Sequence, residues 1–244
     1  MSGGVGPTGS DISLPREEQI DHKEHQNHSL HKTITTPRKS GFPSFRHLNC
    51  LAVVIVLSAS GMIGPEDFAF VAFSIVYMFF ISKVAFPSLH SSEPPVFNPQ
   101  NKMFALYVFI AAIIGLFGPI AYILDGIFEG DKEGIKAAAP HVFLLASQVF
   151  MEGVAFSGRF SIPIRAFVPI FYNSRRIFTI VDWLRSEINK VNEEHSGSAR
   201  RIYVGRVLAV ANMAFWCFNL FGFLLPVYLP RVFKLYYSSH KEKE

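Results

Sequence analysis

One apolar stretch of the sequence carries four polar side chains at regular spacing. The stretch is HVFLLASQVFMEGVAFSGRF, residues 141–160, and the side chains are His141, Gln148, Glu152 and Arg159. A helix turns about 100° per residue, so all four fall within about 20° of one line along the helix. Such a stripe can line a polar cavity or a pathway for an ion, a proton or a polar ligand, with Glu152 as the titrating group. The alternative is interhelical hydrogen bonding that only holds a bundle together.

The carboxyl group of Glu152 needs a partner if this helix lies in a membrane. A charged side chain near the bilayer centre costs several kcal/mol, so it must face protein or water, be paired, or be protonated. Arg159 lies about 10 Å further along the helix, so we expect a bridging water or a partner on another helix. Asn212 and Asn219 are seven residues apart on a later apolar block and share a face. We predict that these asparagines line the same interior as Gln148 and Glu152.

The composition of the chain predicts a membrane protein. Of its 244 residues, 50% are hydrophobic and only 17% are charged, whereas about a quarter of a soluble domain is charged. The apolar residues form long blocks, which is typical of helices that meet lipid. We therefore predict an all-α fold, a polytopic transmembrane helical bundle with about five spans, although four or six crossings fit the same pattern. The predicted spans lie near 48–64, 68–86, 103–124, 137–158 and 207–229.

The two ends of the chain are polar. Residues 1–47 are rich in Gly, Ser, His and charge, so we expect a disordered tail with no cleaved secretory signal. Residues 236–244 form a second polar tail. Lys and Arg are more frequent in the flanks that share a side with the N-terminus, which predicts that the N-terminus is cytoplasmic. We expect the membrane to be an endomembrane or the plasma membrane. Five crossings place the basic C-terminal tail on the opposite side, in conflict with that rule, and an even number removes the conflict.

The segment after the polar stripe is basic and reads in two parts. Pro163 and Pro169 are expected to break any long helix, so 160–172 is predicted to be re-entrant or interfacial. Residues 173–191 form an amphipathic helix that lies on the cytoplasmic face or docks on the end of the bundle. The residues predicted to contact lipid headgroups are Arg175, Arg176, Trp183 and Arg185.

Several functional classes lack support in the sequence. No zinc-finger, helix-turn-helix or RNP-like pattern is present, so we expect no nucleic-acid partner. No Walker loop, G-x-S-x-G elbow or H-E-x-x-H motif is present, and we predict a protein that is not an enzyme and needs no cofactor or metal. A run of tail histidines is better explained as solvated chain than as a metal site: His22, His25, His28 and His31.

The densest local signal is ASQVFMEGVAFSGRFSIPIRAFVPIFYNSRRIFTIVDWL. With this stretch the chain resembles a plant family of multi-pass membrane proteins that is known as a domain of unknown function. The resemblance covers roughly residues 40–235 and is densest over 140–190. It implies an integral membrane protein and no catalytic residues.

Two functions follow from these observations. The first is a structural or adaptor-like protein that organises an endomembrane through its basic cytoplasmic face. The alternative is a small transporter or channel subunit that uses Glu152, Gln148, Asn212 and Asn219. The expected partners are the lipid bilayer, anionic lipids in particular, and other membrane proteins.

Overall fold

The computed structural model confirms the all-α fold. It describes residues 48–49, 51–52, 55–56, 60–88, 96, 102–156, 160–190 and 199–241. Every regular element within these ranges is helical. The predicted disordered tail, six residues of the first predicted span and Arg159 lie outside the described residues.

Seven α-helices and three shorter helical segments make up the described part of the chain. The α-helices are α1 (Pro65–Val84), α2 (Lys102–Ala112), α3 (Gly118–Glu129), α4 (Lys132–Ala155), α5 (Ile162–Asn189), α6 (Ala199–Cys217) and α7 (Leu229–Lys241). A 3₁₀ turn, Ser60–Met62, precedes α1. A first π-helical segment, Ile113–Phe117, joins α2 to α3, and a second, Phe218–Tyr228, joins α6 to α7.

Four of the described helical runs are long and apolar enough to cross a membrane. They are Pro65–Val84, Lys102–Glu129, Lys132–Ala155 and Ala199–Ser239. At about 1.5 Å per residue, even the shortest of them matches a hydrocarbon core of about 30 Å. Large apolar side chains face outward from these runs, including Phe128, which is 88% exposed. A lipid surrounding accounts for apolar surface on this scale, so the helices fit a membrane-embedded protein.

The start of α1 agrees with the sequence. The helix begins at Pro65 after Gly64, and Glu66 and Asp67 occupy its first turn. Proline is favoured at the first helical position and acidic residues suit the positive end of the helix dipole. The predicted turn between the first two apolar blocks is therefore confirmed at its second helix.

Helix α5 differs most from the prediction. Pro163 and Pro169 do not break it, because α5 is continuous over 28 residues, a length of about 42 Å. Pro163 falls in the first turn, where the missing N–H is not needed, and Pro169 is accommodated inside the helix. The prediction of a re-entrant stretch over 160–172 is therefore wrong.

Helix α5 also runs through the bundle rather than across one end of it. Just before its start, Ser161 Oγ donates a hydrogen bond of 2.8 Å to the carbonyl of Phe86, at the end of α1. Just past its end, Lys190 Nζ lies 3.1 Å from Asp131 Oδ2, between α3 and α4. Because these contacts lie at opposite ends of α4 and α5, the prediction of a helix lying on the cytoplasmic face is wrong.

The centre of the protein is the α4–α5 pair. Every residue of α4 from His141 to Gln148 is buried. One apolar cluster joins α1, α4 and α5 around Met78, Met151 and Tyr172. A second joins α3, α4, α5 and α6 around Trp183. Of the polar stripe, His141 and Gln148 are buried and Glu152 is half-buried, so these three face protein, as the cost of exposing them to lipid requires.

Candidate functional site

His141 repairs a gap in the backbone hydrogen bonding of the neighbouring helix. Pro119 has no N–H to offer to the carbonyl of Gly115, four residues earlier, and the first π-helical segment lies at this point. His141 Nε2 is 2.8 Å from the Gly115 carbonyl oxygen. Since a carbonyl only accepts, the proton must sit on Nε2. The buried imidazole therefore acts here as a structural hydrogen-bond donor.

Gln148 links Glu152 to a buried arginine. Gln148 Nε2 donates a hydrogen bond of 2.7 Å to Glu152 Oε1. Arg176 Nη2 of α5 donates to the other end of the amide, Gln148 Oε1. The partner expected for Glu152 is therefore Arg176, which lies on another helix. The Gln148 amide, and not a water, connects Arg176 to Glu152. We call Arg176, Gln148 and Glu152 the relay.

Arg176 is held by an aromatic ring as well as by the relay. Its side chain is 0% exposed, and its guanidinium carbon lies 4.1 Å from the centroid of the Trp216 ring. Its Nε and Nη1 atoms have no hydrogen-bond partner among the described residues. A cation over an indole face gains energy when water is excluded. The Trp216 ring and the hydrogen bond to Gln148 Oε1 together make this buried position tolerable.

A cavity of about 590 Å³ lies beside the relay. Its walls come from α2, α4, α5, the second π-helical segment and the described residues between 48 and 55, and most of the lining side chains are apolar. Along α4 the lining extends from Leu145 to Phe156, about 16 Å at 1.5 Å per residue. The polar or charged lining residues are Tyr107, Gln148, Glu152, Arg165, Asn219 and Tyr228.

The two asparagines are both buried but have different surroundings. Asn219 lines the cavity, and its Oδ1 accepts a hydrogen bond of 2.6 Å from the hydroxyl of Tyr107. Asn212 bonds within its own helix, where Oδ1 accepts from Trp216 Nε1 at 3.2 Å and Nδ2 donates to the carbonyl of Leu208 at 2.9 Å. The structure therefore brings Asn219, Gln148 and Glu152 to one cavity. The cavity lining does not include Asn212 or His141.

A second group of buried charges lies where α3, α5 and α6 meet. We call it the ion cluster, and it comprises Tyr122, Asp131, Glu187, Lys190 and Arg201, with Asp125 at its edge, where the Asp125 side chain is 42% exposed. Glu187 Oε1 accepts from the Tyr122 hydroxyl at 2.6 Å and from Lys190 Nζ at 3.0 Å. Arg201 Nε donates to Asp131 Oδ2 at 2.7 Å and Nη1 donates to Asp125 Oδ2 at 3.1 Å. The cluster ties the start of α6 and the end of α5 to the junction of α3 and α4.

Asp131 is the member of the ion cluster that lies between two helices. Burial alone raises the pKa of this carboxyl, but bonds from the Gly134 backbone N–H, Arg201 and Lys190 outweigh it, so the pKa is lowered from its ordinary value of 3.8. Its Oδ1 caps α4 by accepting from Gly134 N at 2.8 Å. One carboxylate thus serves both as a helix cap and as an ion-pair partner.

The residues predicted to meet lipid headgroups divide into two pairs. Arg176 and Trp183 are 0% exposed, so the prediction is wrong for them: they pack inside the bundle because neighbouring helices cover α5 on several sides. Arg175 bonds to Asp67 of α1 at 2.8 Å and its side chain is 29% exposed. The Arg185 side chain is 73% exposed and lies 3.4 Å from Asp182. Headgroup contact stays a prediction for Arg175 and Arg185.

Sequence reasoning missed the buried polar residues of α5. Asn173, Ile180 and Glu187 are seven residues apart, as are Arg176, Trp183 and Lys190, and all six are buried. Seven-residue spacing is the pattern of positions that face the interior of a helix bundle. The seven-residue spacing is therefore visible in the sequence. It was missed because the apolar residues between these positions form a stripe of their own.

Comparison with known proteins places the chain in a family without a known activity. Residues 43–237 match the domain of unknown function DUF7733, and the chain therefore belongs to that family. This agrees with the resemblance to a family of unknown function seen in the sequence, whereas the plant origin stays a prediction. No curated protein matches the chain, and no solved structure does.

Proposed function

We propose that this member of the DUF7733 family is a non-enzymatic integral membrane protein that holds an amphipathic, lipid-like ligand in the cavity beside the relay. This proposal develops the alternative that the sequence predicts, a small transporter or channel subunit with a polar site around Glu152, into a role in holding a ligand. The observation that carries it is the cavity itself, because its volume of about 590 Å³ lies within the range of small-molecule sites, about 300–1,000 Å³.

The lining of the cavity supports an amphipathic ligand over a polar solute. Apolar side chains from several helices form most of the wall, and the few polar groups include Gln148, Glu152 and Asn219. Binding sites commonly combine an apolar wall with a small number of polar groups that fix orientation. A ligand with a hydrocarbon chain and one polar head satisfies both parts of this lining.

The cavity also offers a reason for an acidic side chain in an apolar helix. Glu152 is half-buried and lines the cavity, whereas a side chain that only joins two helices has no need of a carboxylate. Interhelical hydrogen bonds in membranes average only about 0.6 kcal/mol. Recognition of a ligand is a stronger reason to keep a carboxylate in this position.

Photolabelling tests this function. Ala112 lines the cavity and Ala105, on the same helix, is exposed and lies outside the lining. The full chain in lipid nanodiscs is treated with a dodecyl probe that carries a diazirine, and the labelled peptides are identified by mass spectrometry. We expect label on the cavity peptides of α2 and α4, a loss of at least about tenfold in Ala112→Phe, which fills the space, and no loss in Ala105→Phe.

Two results would contradict the proposal. One is label spread evenly over the outward faces of the helices, which indicates that the probe only dissolves in the lipid. The other is equal labelling of Ala112→Phe and Ala105→Phe. Either result returns the structural or adaptor-like role in an endomembrane to first place, with the exposed Arg185 as its support.

A further inference from the structure

The relay fixes the direction in which the Gln148 amide points. Its Oε1 accepts from Arg176 and its Nε2 donates to Glu152 Oε1. An amide with both ends bonded in this way cannot turn over without breaking both contacts. The charge of Arg176 therefore polarises the amide toward Glu152, and the amide holds Glu152 Oε1 as a hydrogen-bond acceptor at the cavity wall.

An ionised carboxylate only accepts hydrogen bonds. Glu152 Oε1 takes one from Gln148, and the side chain as a whole is half-buried at the cavity. In its ionised form the carboxylate has further lone pairs that can accept a hydrogen bond from a ligand or from water in the cavity. Asn219, also in the lining, adds amide N–H donors, because Tyr107 uses its Oδ1 as an acceptor.

The charges around the cavity discriminate between possible head groups. An anionic head can join Arg165 in the lining but meets the carboxylate of Glu152 there as well. An ammonium head joins Glu152 but meets two guanidinium groups, Arg165 in the lining and Arg176 behind the relay. An uncharged hydroxyl donates to the carboxylate, accepts from an amide N–H, and adds no charge.

We infer that the cavity selects amphiphiles with a hydroxyl head, long-chain alcohols in chemical class, and that Glu152 accepts the hydroxyl proton in a hydrogen bond. This inference rests on the proposed function, since it names the ligand class of the same cavity. Arg176 and Gln148 do not touch the ligand; they position the carboxylate. The apolar side chains of the lining, among them Leu145, Val149 and Phe156, hold the hydrocarbon chain.

Three probes that share one tail test the selection. The full chain in nanodiscs is labelled with the dodecyl diazirine probe in competition with dodecanol, dodecanoate or dodecylamine. We expect dodecanol to compete at about tenfold lower concentration than either charged amphiphile. A charged acceptor makes a stronger hydrogen bond than a neutral one, so Glu152→Gln should weaken competition by dodecanol about fivefold and remove the ranking.

Two further variants keep the test decisive. Glu152→Asp retains the charge one methylene further back, so it should keep the preference for dodecanol at reduced affinity even if Glu152→Gln folds poorly. Glu133→Gln removes a carboxylate from an exposed position on the same helix and should change nothing. A variant that only lowers the amount of folded protein reduces labelling without changing the ranking of the three head groups, so the ranking separates a binding effect from a folding effect.

The outcomes separate this inference from the proposed function. Equal competition by all three amphiphiles, unchanged in Glu152→Gln, overturns the inference and leaves the cavity as a site for hydrocarbon chains. A preference for dodecanoate that disappears in Arg165→Gln also overturns it, because the head group then lies at Arg165. Failure of every amphiphile to compete, together with no cavity labelling, overturns both.

Discussion

The ion cluster and the cavity place buried charges in two very different surroundings. In the ion cluster each charged side chain meets an opposite charge within 3.1 Å. The backbone there is so close that a Cβ added at Gly205 would lie 2.5 Å from Glu187 Oε2. The relay joins Arg176 to Glu152 through the amide of Gln148, and it borders a space of about 590 Å³. Charged and polar side chains are therefore closely packed in the ion cluster, whereas at the relay they border a cavity.

This difference separates a bracing role from a binding role. A buried ion pair that is fully enclosed fixes the geometry of the elements it joins, and removing one partner leaves the other charge buried and unpaired. A charged group beside a cavity can exchange partners with a ligand. The contrast predicts that changes in the ion cluster act on stability, whereas changes at the cavity act on binding.

The largest expected effect comes from removing Arg201. This side chain is 2% exposed and bonds to Asp125 and Asp131. Arg201→Met removes the partner that these carboxylates share, although Asp131 keeps Lys190 and Asp125 keeps Arg200, so we expect the low end of the cost of breaking a buried pair, about 3 kcal/mol. For a chain of this size we expect the thermal unfolding midpoint in detergent to fall by about 10 °C.

Arg200 is the matched control for this variant. It is adjacent in sequence, but its side chain is 70% exposed, and it contacts Asp125 and Glu129 at the surface. Exposed ion pairs contribute about 0–1 kcal/mol, so Arg200→Met should lower the midpoint by only a few degrees. Equal losses in the two variants would show that the ion cluster does not brace the helices.

A smaller effect is expected from adding one methyl group inside the ion cluster. In Gly205→Ala the new Cβ would lie 2.5 Å from Glu187 Oε2 and 2.8 Å from the Tyr122 hydroxyl. Overpacking of this kind costs about 2 kcal/mol, or about 6 °C in the unfolding midpoint. Gly61→Ala is the control, because nothing lies within 4 Å of its Cβ position. If both variants unfold at the wild-type temperature, the cluster has more room than its contacts indicate.

The two regions also differ in how well the sequence anticipated them. The stripe on α4 was predictable, because polar residues at one angle of an apolar helix must face protein. The ion cluster was not, because its partners are separated by up to 79 residues and no local pattern pairs Tyr122 or Asp131 with Arg201. The path of α5 was missed for a related reason. Two prolines and several arginines indicated a surface segment, and only the partners on other helices make its interior position favourable.

Acidification is the next test, and it acts on the ion cluster. The pKa of Asp131 is lowered from 3.8 in the folded protein, so its contribution to stability is fully present above this ordinary value and is lost as the pH falls through the lower folded value. We expect the unfolding midpoint to decrease below about pH 4, and the decrease to be smaller in Asp131→Asn.

Asparagine keeps the helix cap of α4 while removing the charge, so the comparison isolates the ion pairs with Lys190 and Arg201. Asp182→Asn is the control, because the same change is made at a side chain that is 73% exposed. The interpretation fails if Asp131→Asn follows the wild-type profile over the whole acidic range.

The smallest expected effect comes from adding atoms to the open region. Ala112 lines the cavity, so the three extra carbons of Ala112→Leu enter space that is free of protein atoms, whereas a single carbon at Gly205 does not. Filling a cavity stabilises a fold by about 0.5–2 kcal/mol, and with part of the space left empty we expect a midpoint higher by about 2 °C. Ala105→Leu, on the exposed face of the same helix, should leave the midpoint unchanged. A loss of stability in Ala112→Leu like that of Gly205→Ala would mean that the two regions are packed alike, and the distinction between a brace and a binding cavity would then be lost.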